Sequence, residues 1–412
     1  MAKYSTLFLG CIFLSTFGSI VALLGSTTIS TEVGSGAGAG ASYTGILLAV
    51  YFAPAIIAEP YSTWLAGRFG TRKFFVIGQS LMVILNLSLA GALLLGAPAY
   101  LTLLLFSGCL GAIGSMLNTL VPVIMKSYLP SATMAGSLSK AAVANGLASV
   151  FGALFATFLL AQLAPAAAFV VNSVLTIPYV LFILFKRPQD PIESPTNVHR
   201  TWRTLFTTLK TNRRVLRAGI LWIGALTLIG PLNSMVVPLT HDLGITLTSN
   251  AGHLLAVLAA GQMLSPLSVR WLSRRFSALY GGAFAIAIAG SMLAFMGIIL
   301  WLVKPEWLMF TGIVVAALVF GSMRIAARNL VLNEVSTSIR TNETTQGDIT
   351  DFTFLGTFAA PFAPLIWGIF IDGFGASSTL VLLGVLTLVF VSVHVSFDRR
   401  AHIDGAPLIT RP

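Results

Sequence analysis

The sequence predicts an all-α polytopic membrane protein, with twelve transmembrane helices in two pseudo-symmetric six-helix bundles. Three observations carry that expectation. Apolar residues make up 56% of the chain and charged residues 9%, at a mean hydropathy of +0.90, whereas a soluble domain needs far more charge on its wetted surface. Gly114-Ser115-Met116 recurs 207 positions later as Gly321-Ser322-Met323, close to half the chain length of 412. At the same offset Trp64-Leu65-Ala66-Gly67-Arg68-Phe69-Gly70 aligns with Trp271-Leu272-Ser273-Arg274-Arg275-Phe276-Ser277. Such halves build a substrate site where they meet near the bilayer midplane.

A hydrocarbon core about 30 Å thick takes roughly 20 apolar residues per helix. The qualifying stretches run near 4–25, 43–66, 74–96, 100–125, 138–161, 165–185, 218–240, 250–272, 280–302, 307–330, 350–371 and 377–397. They divide the chain into an N-terminal bundle (1–185), a cytosolic basic linker (186–217), a C-terminal bundle (218–397) and a cytosolic tail (398–412). The first span follows Lys3, yet its apolar run is long for a signal peptide, and cleavage would destroy the match between the halves. The Gly/Ala tract 34–41 that follows reads as a flexible outer loop without chemistry. Small residues in span five, Gly146, Gly152 and Ala156, match Thr353, Ala359 and Ala363 in span eleven and allow close helix approach. Pro361 and Pro364 interrupt that later span, freeing backbone carbonyls and permitting a bend. In the linker, Trp202, Leu205, Phe206 and Leu209 fall at helical spacing among basic residues, which predicts a short interfacial helix or a simple tether. Cys11 and Cys109 lie within spans, where such side chains pack. They imply no disulfide and no metal site, and no cofactor is expected.

The net charge of +11 is placed asymmetrically. With the N-terminus in the cytosol, Arg68, Arg72, Lys73, Lys126, the 186–217 loop, Arg270, Arg274, Arg275 and Arg340 all fall on that side, and only Lys304 falls outside. This is the positive-inside pattern, with both termini cytosolic. The partners of these charges are anionic lipid headgroups rather than nucleic acid.

Ionisable groups inside the spans are the candidate machinery. Glu59, between Ala58 and Pro60 in span two, sits where a carboxylate is costly enough to require a reason. It can carry protons as water reaches it alternately from each side, or serve as a salt-bridged acid near the inner headgroups. Arg324 and Arg328 lie one turn apart in span ten, and like charges so placed must face water, an anion or acids. At about 1.5 Å per residue, Glu59 and Arg324 lie at similar depths on opposite halves, which allows an inner-gate ion pair. Alternatively, the Arg324 guanidinium grips a substrate carboxylate through paired hydrogen bonds or reaches lipid phosphate. Asp348 and Asp351 begin span eleven, where a helix N-terminus welcomes negative charge; Asp351 is the second candidate for protonation. Asn118, Asn145, Asn233, His253 and Gln262 are placed to approach a cavity or to bond a neighbouring helix. Phe52, Phe354 and Phe358 are placed to wall a cavity for an amphiphilic ligand or to pack.

The loop Leu65-Ala66-Gly67-Arg68-Phe69-Gly70-Thr71-Arg72-Lys73 resembles the signature loop of the major facilitator superfamily, Gly-x-Leu-Ala-Asp-Arg-x-Gly-Arg-Arg/Lys. Leu65, Ala66, Arg68, Gly70 and Arg72 or Lys73 match. Thr63 replaces the first glycine and Gly67 replaces the acid that, in the family, latches the inner side to helix eleven. Val121-Pro122-Val123-Ile124-Met125-Lys126-Ser127-Tyr128-Leu129-Pro130, running into Gly136-Ser137-Leu138, is similar to the span-four exit of drug and siderophore exporters, including macrolide efflux and enterobactin export proteins. Gly230-Pro231-Leu232-Asn233 with Pro238 is similar to the same group. The resemblance implies proton-driven export of a small organic molecule across a bacterial inner membrane, with a siderophore or metallophore preferred over a drug because of Arg324. Proton-coupled uptake, or a sensor or assembly protein on the same fold, are the alternatives. No Walker loop, zincin helix or nucleophile elbow appears, so no enzyme is expected. The expected partners are a small-molecule substrate, protons and lipid, and the expected state is a monomer.

Overall fold

The computed structural model describes residues 2–129, 134–186, 213–243, 247–302, 306–339 and 356–403. The first half contains α1 (Ala2–Ser35), α2 (Gly40–Phe69), α3 (Thr71–Leu94), α4 (Ala99–Asn118), α5 (Val121–Tyr128), α6 (Met134–Gln162) and α7 (Ala167–Phe185). The second contains α8 (Arg213–Leu228), a 3₁₀ turn (Gly230–Asn233), α9 (Val236–Asp242), α10 (Leu247–Met263), α11 (Ser265–Ser273), α12 (Ala278–Leu302), α13 (Glu306–Ile339), α14 (Phe362–Phe374) and α15 (Ala376–Ile403). Among the described residues eleven spans are long and apolar enough to cross a membrane, or twelve when α10 and α11, bent by 41°, are taken as one broken span.

Proline and glycine set the breaks. Pro231 opens the 3₁₀ turn between α8 and α9, and Pro361 stands immediately before α14, as expected for residues that cannot donate to a continuing helix. Pro54 and Pro60 lie inside α2 without ending it. Gly70, at φ 83°, is the whole connection between α2 and α3. A left-handed residue reverses the chain in one step, and glycine adopts it without a Cβ clash.

Apolar surface gives helices little reason to associate in lipid, so close backbone approach does that work. A Cβ on Gly111 of α4 would fall on the Tyr51 carbonyl oxygen of α2, and one on Gly321 of α13 on the Leu258 carbonyl oxygen of α10. Polar ties repeat with these contacts. The hydroxyls of Ser62 and Thr119 lie 2.5 Å apart, and those of Ser268 and Ser322 lie 2.6 Å apart. The Arg68 guanidinium sits 5.6 Å from the Trp64 ring and that of Arg275 sits 5.0 Å from the Trp271 ring. The sequence repeat is thus matched by repeated contacts, α2 with α4 and α10 with α13.

Between the halves, α2 packs along α14 and α6 along α10. Gly45 and Gly368 bring α2 and α14 within backbone contact, because added Cβ atoms would lie 2.6 Å from the Pro364 and Ala41 carbonyl oxygens respectively. Gly252 approaches Ala153 and Thr157, and Gly146 approaches Met263, along the other seam.

Two expectations change. Helix α1 runs ten residues past the predicted end, to Ser35, and a tight turn follows it. In that turn Gly38 takes φ 70°, and the Ala37 and Ala39 N–H groups both donate to the Gly34 carbonyl. Likewise α13 continues to Ile339, beyond the apolar stretch. The interfacial helix expected at 202–209 lies outside the described residues.

Candidate functional site

The candidate site lies along the seam of α2 with α14 and in the neighbouring interior of the second half. Glu59 is half-buried on α2, one position before Pro60. Thr357, near the start of the span that continues into α14, donates its hydroxyl to Glu59 Oε2 at 2.8 Å. This bond joins residues 298 apart in sequence, one from each half. Among the described residues Glu59 and Arg324 do not pair, although their similar depth allows it: the carboxylate turns to Thr357, while Arg324 lies on α13 with Nη1 buried and without a hydrogen-bond partner. Arg328, one turn along, is exposed. A guanidinium nitrogen shut away from water without an acceptor is costly, and an anionic group would relieve that cost.

Asn233 follows the same logic with opposite polarity. It ends the 3₁₀ turn, and its Oδ1 is buried without a donor. The unpartnered atoms of Arg324 and Asn233 therefore offer a positive donor and a neutral acceptor. Asn145 is instead engaged within the first half, where Thr16 donates to its Oδ1 at 2.8 Å, tying α1 to α6. Asn118 is exposed at the end of α4, His253 is exposed on α10, and Gln262 is half-buried near the α10 end. Phe52 is half-buried, edge-on to Tyr51 at 5.2 Å, and Phe358 is exposed. Phe354, Asp348 and Asp351 lie outside the described residues.

The residues of the signature pattern lie at the end of α2 and the start of α3, on either side of Gly70. Leu65 is half-buried, and Gly67, Arg68 and Lys73 are exposed. Arg72 donates through Nε to the Ile183 carbonyl at 2.9 Å and through Nη2 to those of Leu184 at 3.0 Å and Lys186 at 2.9 Å. It thereby satisfies the open carbonyls at the end of α7, where positive charge also suits the helix dipole.

At the face opposite these basic loops, several groups missed in the sequence come together. Asp372, near the end of α14, accepts the Ala41 N–H at 3.1 Å on Oδ1 and the Ser42 N–H at 2.7 Å on Oδ2. Asp242 accepts the Ala376 N–H at 2.7 Å. Ser35 Oγ lies 3.2 Å from His241 Nε2. One signal was available: α2 and α15 begin after Ala39 and Gly375, which supply no side-chain cap, so their first N–H groups need an acceptor from elsewhere.

The family model described as Major Facilitator Superfamily matches residues 6–342. The chain belongs to the major facilitator superfamily. Its fold is similar to that of the nucleoside transporter NupG, at 13% identity and TM-score 0.66, over 95% of this chain and 99% of that one. A point mutant of NupG gives TM-score 0.71 at the same identity and coverage. A bacterial homologue of the human lysosomal transporter Spinster, solved inward-facing and unoccupied, gives TM-score 0.66 at 17% identity, covering 96% of each chain. None of the curated proteins compared matches the sequence. Family membership and the apolar spans make the protein a multi-pass membrane transporter.

Proposed function

We propose that the protein is a secondary active transporter that exports a small acidic organic molecule in exchange for protons, by alternating access between bundles 1–185 and 218–397. The basic face is its cytosolic face, in a bacterial inner membrane. The observation that carries this reading is the Glu59–Thr357 hydrogen bond. The bond crosses between the halves, so parting them on the basic face removes the carboxylate's partner and admits water. Proton occupancy of Glu59 is thereby tied to the arrangement of the halves, and a ligand or proton drives a switch only through its different affinity for the two states.

The buried, unpartnered Nη1 of Arg324 supports an anionic cargo, since guanidinium and carboxylate match in charge and geometry. A carboxylate chelator of the siderophore or metallophore class fits this best, and the resemblance to siderophore and drug exporters points the same way. A cationic cargo would leave that nitrogen without a matching anion.

Inside-out membrane vesicles, acidified within and supplied with fractionated cell extract, test the proposal. An acidic compound should accumulate inside only with the wild-type protein and only until a protonophore is added. Accumulation driven by the reverse pH gradient would mean proton-coupled uptake, and no accumulation under either gradient would mean a sensor or assembly role.

A further inference from the structure

We propose that Asp372 is a latch that holds the two halves together at the face opposite the basic loops. The donors come from the first turn of α2, whose amides have no helical acceptor and which follows Ala39, a residue making no side-chain cap. One carboxylate takes both, at 3.1 Å from Ala41 and 2.7 Å from Ser42, so a full negative charge rests on the positive end of the helix dipole. The acid belongs to the second half and the amides to the first, some 330 residues apart in sequence.

The backbones are shaped for this contact. Gly368 lies one helical turn before Asp372, and a Cβ there would stand 2.6 Å from the Ala41 carbonyl oxygen and 2.9 Å from the Ser42 Cα. Ser35 Oγ and the His241 ring, 3.2 Å apart, add a second tie between the halves at the same face. On the basic face the last turn of α2 carries exposed Gly67, which offers no side chain for a comparable contact. The acid-to-amide contact Asp372 makes exists only while α2 and α14 touch at the opposite face. It therefore favours the state closed there and shifts the alternating-access equilibrium toward it.

Asp242 provides an internal control. Its Oδ2 accepts the Ala376 N–H at 2.7 Å, the same chemistry at another helix start, but acid and amide both belong to the second half. Loss of Asp242 weakens a cap, whereas loss of Asp372 weakens a cap and a bridge.

The test is a spin-label distance across the opposite face. Leu95 and Leu302, 90% and 66% exposed at the ends of α3 and α12, take the labels after Cys11→Ala and Cys109→Ser remove the native thiols. The full-length protein in lipid nanodiscs should give mainly a short distance. Asp372→Ala should raise the ratio of long to short distances about fivefold, in keeping with loss of a charge at a helix start, while Asp242→Ala should leave the distribution as in wild type. Asp372→Asn keeps one acceptor oxygen and should fall between wild type and Asp372→Ala; it decides the matter alone if the alanine variant does not fold. An unchanged distribution in the Asp372 variants, or equal lengthening in Asp242→Ala, would overturn the latch. The measurement needs no substrate, so its failure would leave the proton-exchange reading untouched.

Discussion

Glu59 and Arg324, ionisable residues within apolar spans, differ in what they lack. Glu59 has one hydrogen bond, from Thr357 in the other half, and Arg324 has a buried nitrogen with none. Glu59→Gln preserves shape and hydrogen bonding but cannot ionise. The variant should fold, retain substrate exchange and lose acceleration by a pH gradient; exchange assays with and without an imposed pH step would show this. Thr357→Val should leave proton coupling in place and reduce its strength by roughly fivefold, the value of a hydrogen bond worth about 1 kcal/mol. Arg324→Ala should weaken binding of an acidic cargo by roughly 10- to 100-fold, as expected for a charged hydrogen bond. Binding of its neutral methyl ester should change little, and calorimetry with both ligands would separate a cargo contact from a structural one. Glu59 and Arg324 stood out in the sequence because charge inside an apolar run is rare and unfavourable. Which partner each would take stayed open, because depth along two helices says nothing about which faces meet.

At the scale of the element, hydropathy located every span but not every end. Helix α1 extends to Ser35 and α13 to Ile339 because helical hydrogen bonding continues after apolar residues cease to be needed. The close packing of α2 with α4 and of α10 with α13 follows from glycines whose partners are carbonyl oxygens. Gly111→Ala and Gly321→Ala should therefore each lower stability by about 1–3 kcal/mol, the range for overpacking a tight contact. Gly91→Ala, where an added Cβ meets nothing within 4 Å, should be neutral or stabilising by up to about 1 kcal/mol. Thermal unfolding in a single detergent compares all three. A repeat such as Gly114-Ser115-Met116 with Gly321-Ser322-Met323 announces matched halves, yet Asp372 was invisible beside it. It reads as an ordinary loop acid until α2 is seen to begin without its own cap, some 330 residues away.

For the whole molecule, the twofold plan was readable because hydropathy, repeat and charge asymmetry reinforce one another. Contacts between the halves were not, because they join residues that no local pattern relates. Two seams join the halves, α2 with α14 and α6 with α10, and the first carries Glu59–Thr357 toward the basic face and Asp372 with its amides at the opposite face. Coupling of proton, cargo and shape depends on these few bonds that form and part as the halves move. The most direct measurement compares metabolites inside and outside cells that express the wild type, Glu59→Gln or no protein, with and without a protonophore. One acidic compound should be depleted inside and enriched outside only in the wild type with its pH gradient intact. Identical metabolite profiles in all cells, or export that Glu59→Gln and the protonophore leave unchanged, would contradict the account.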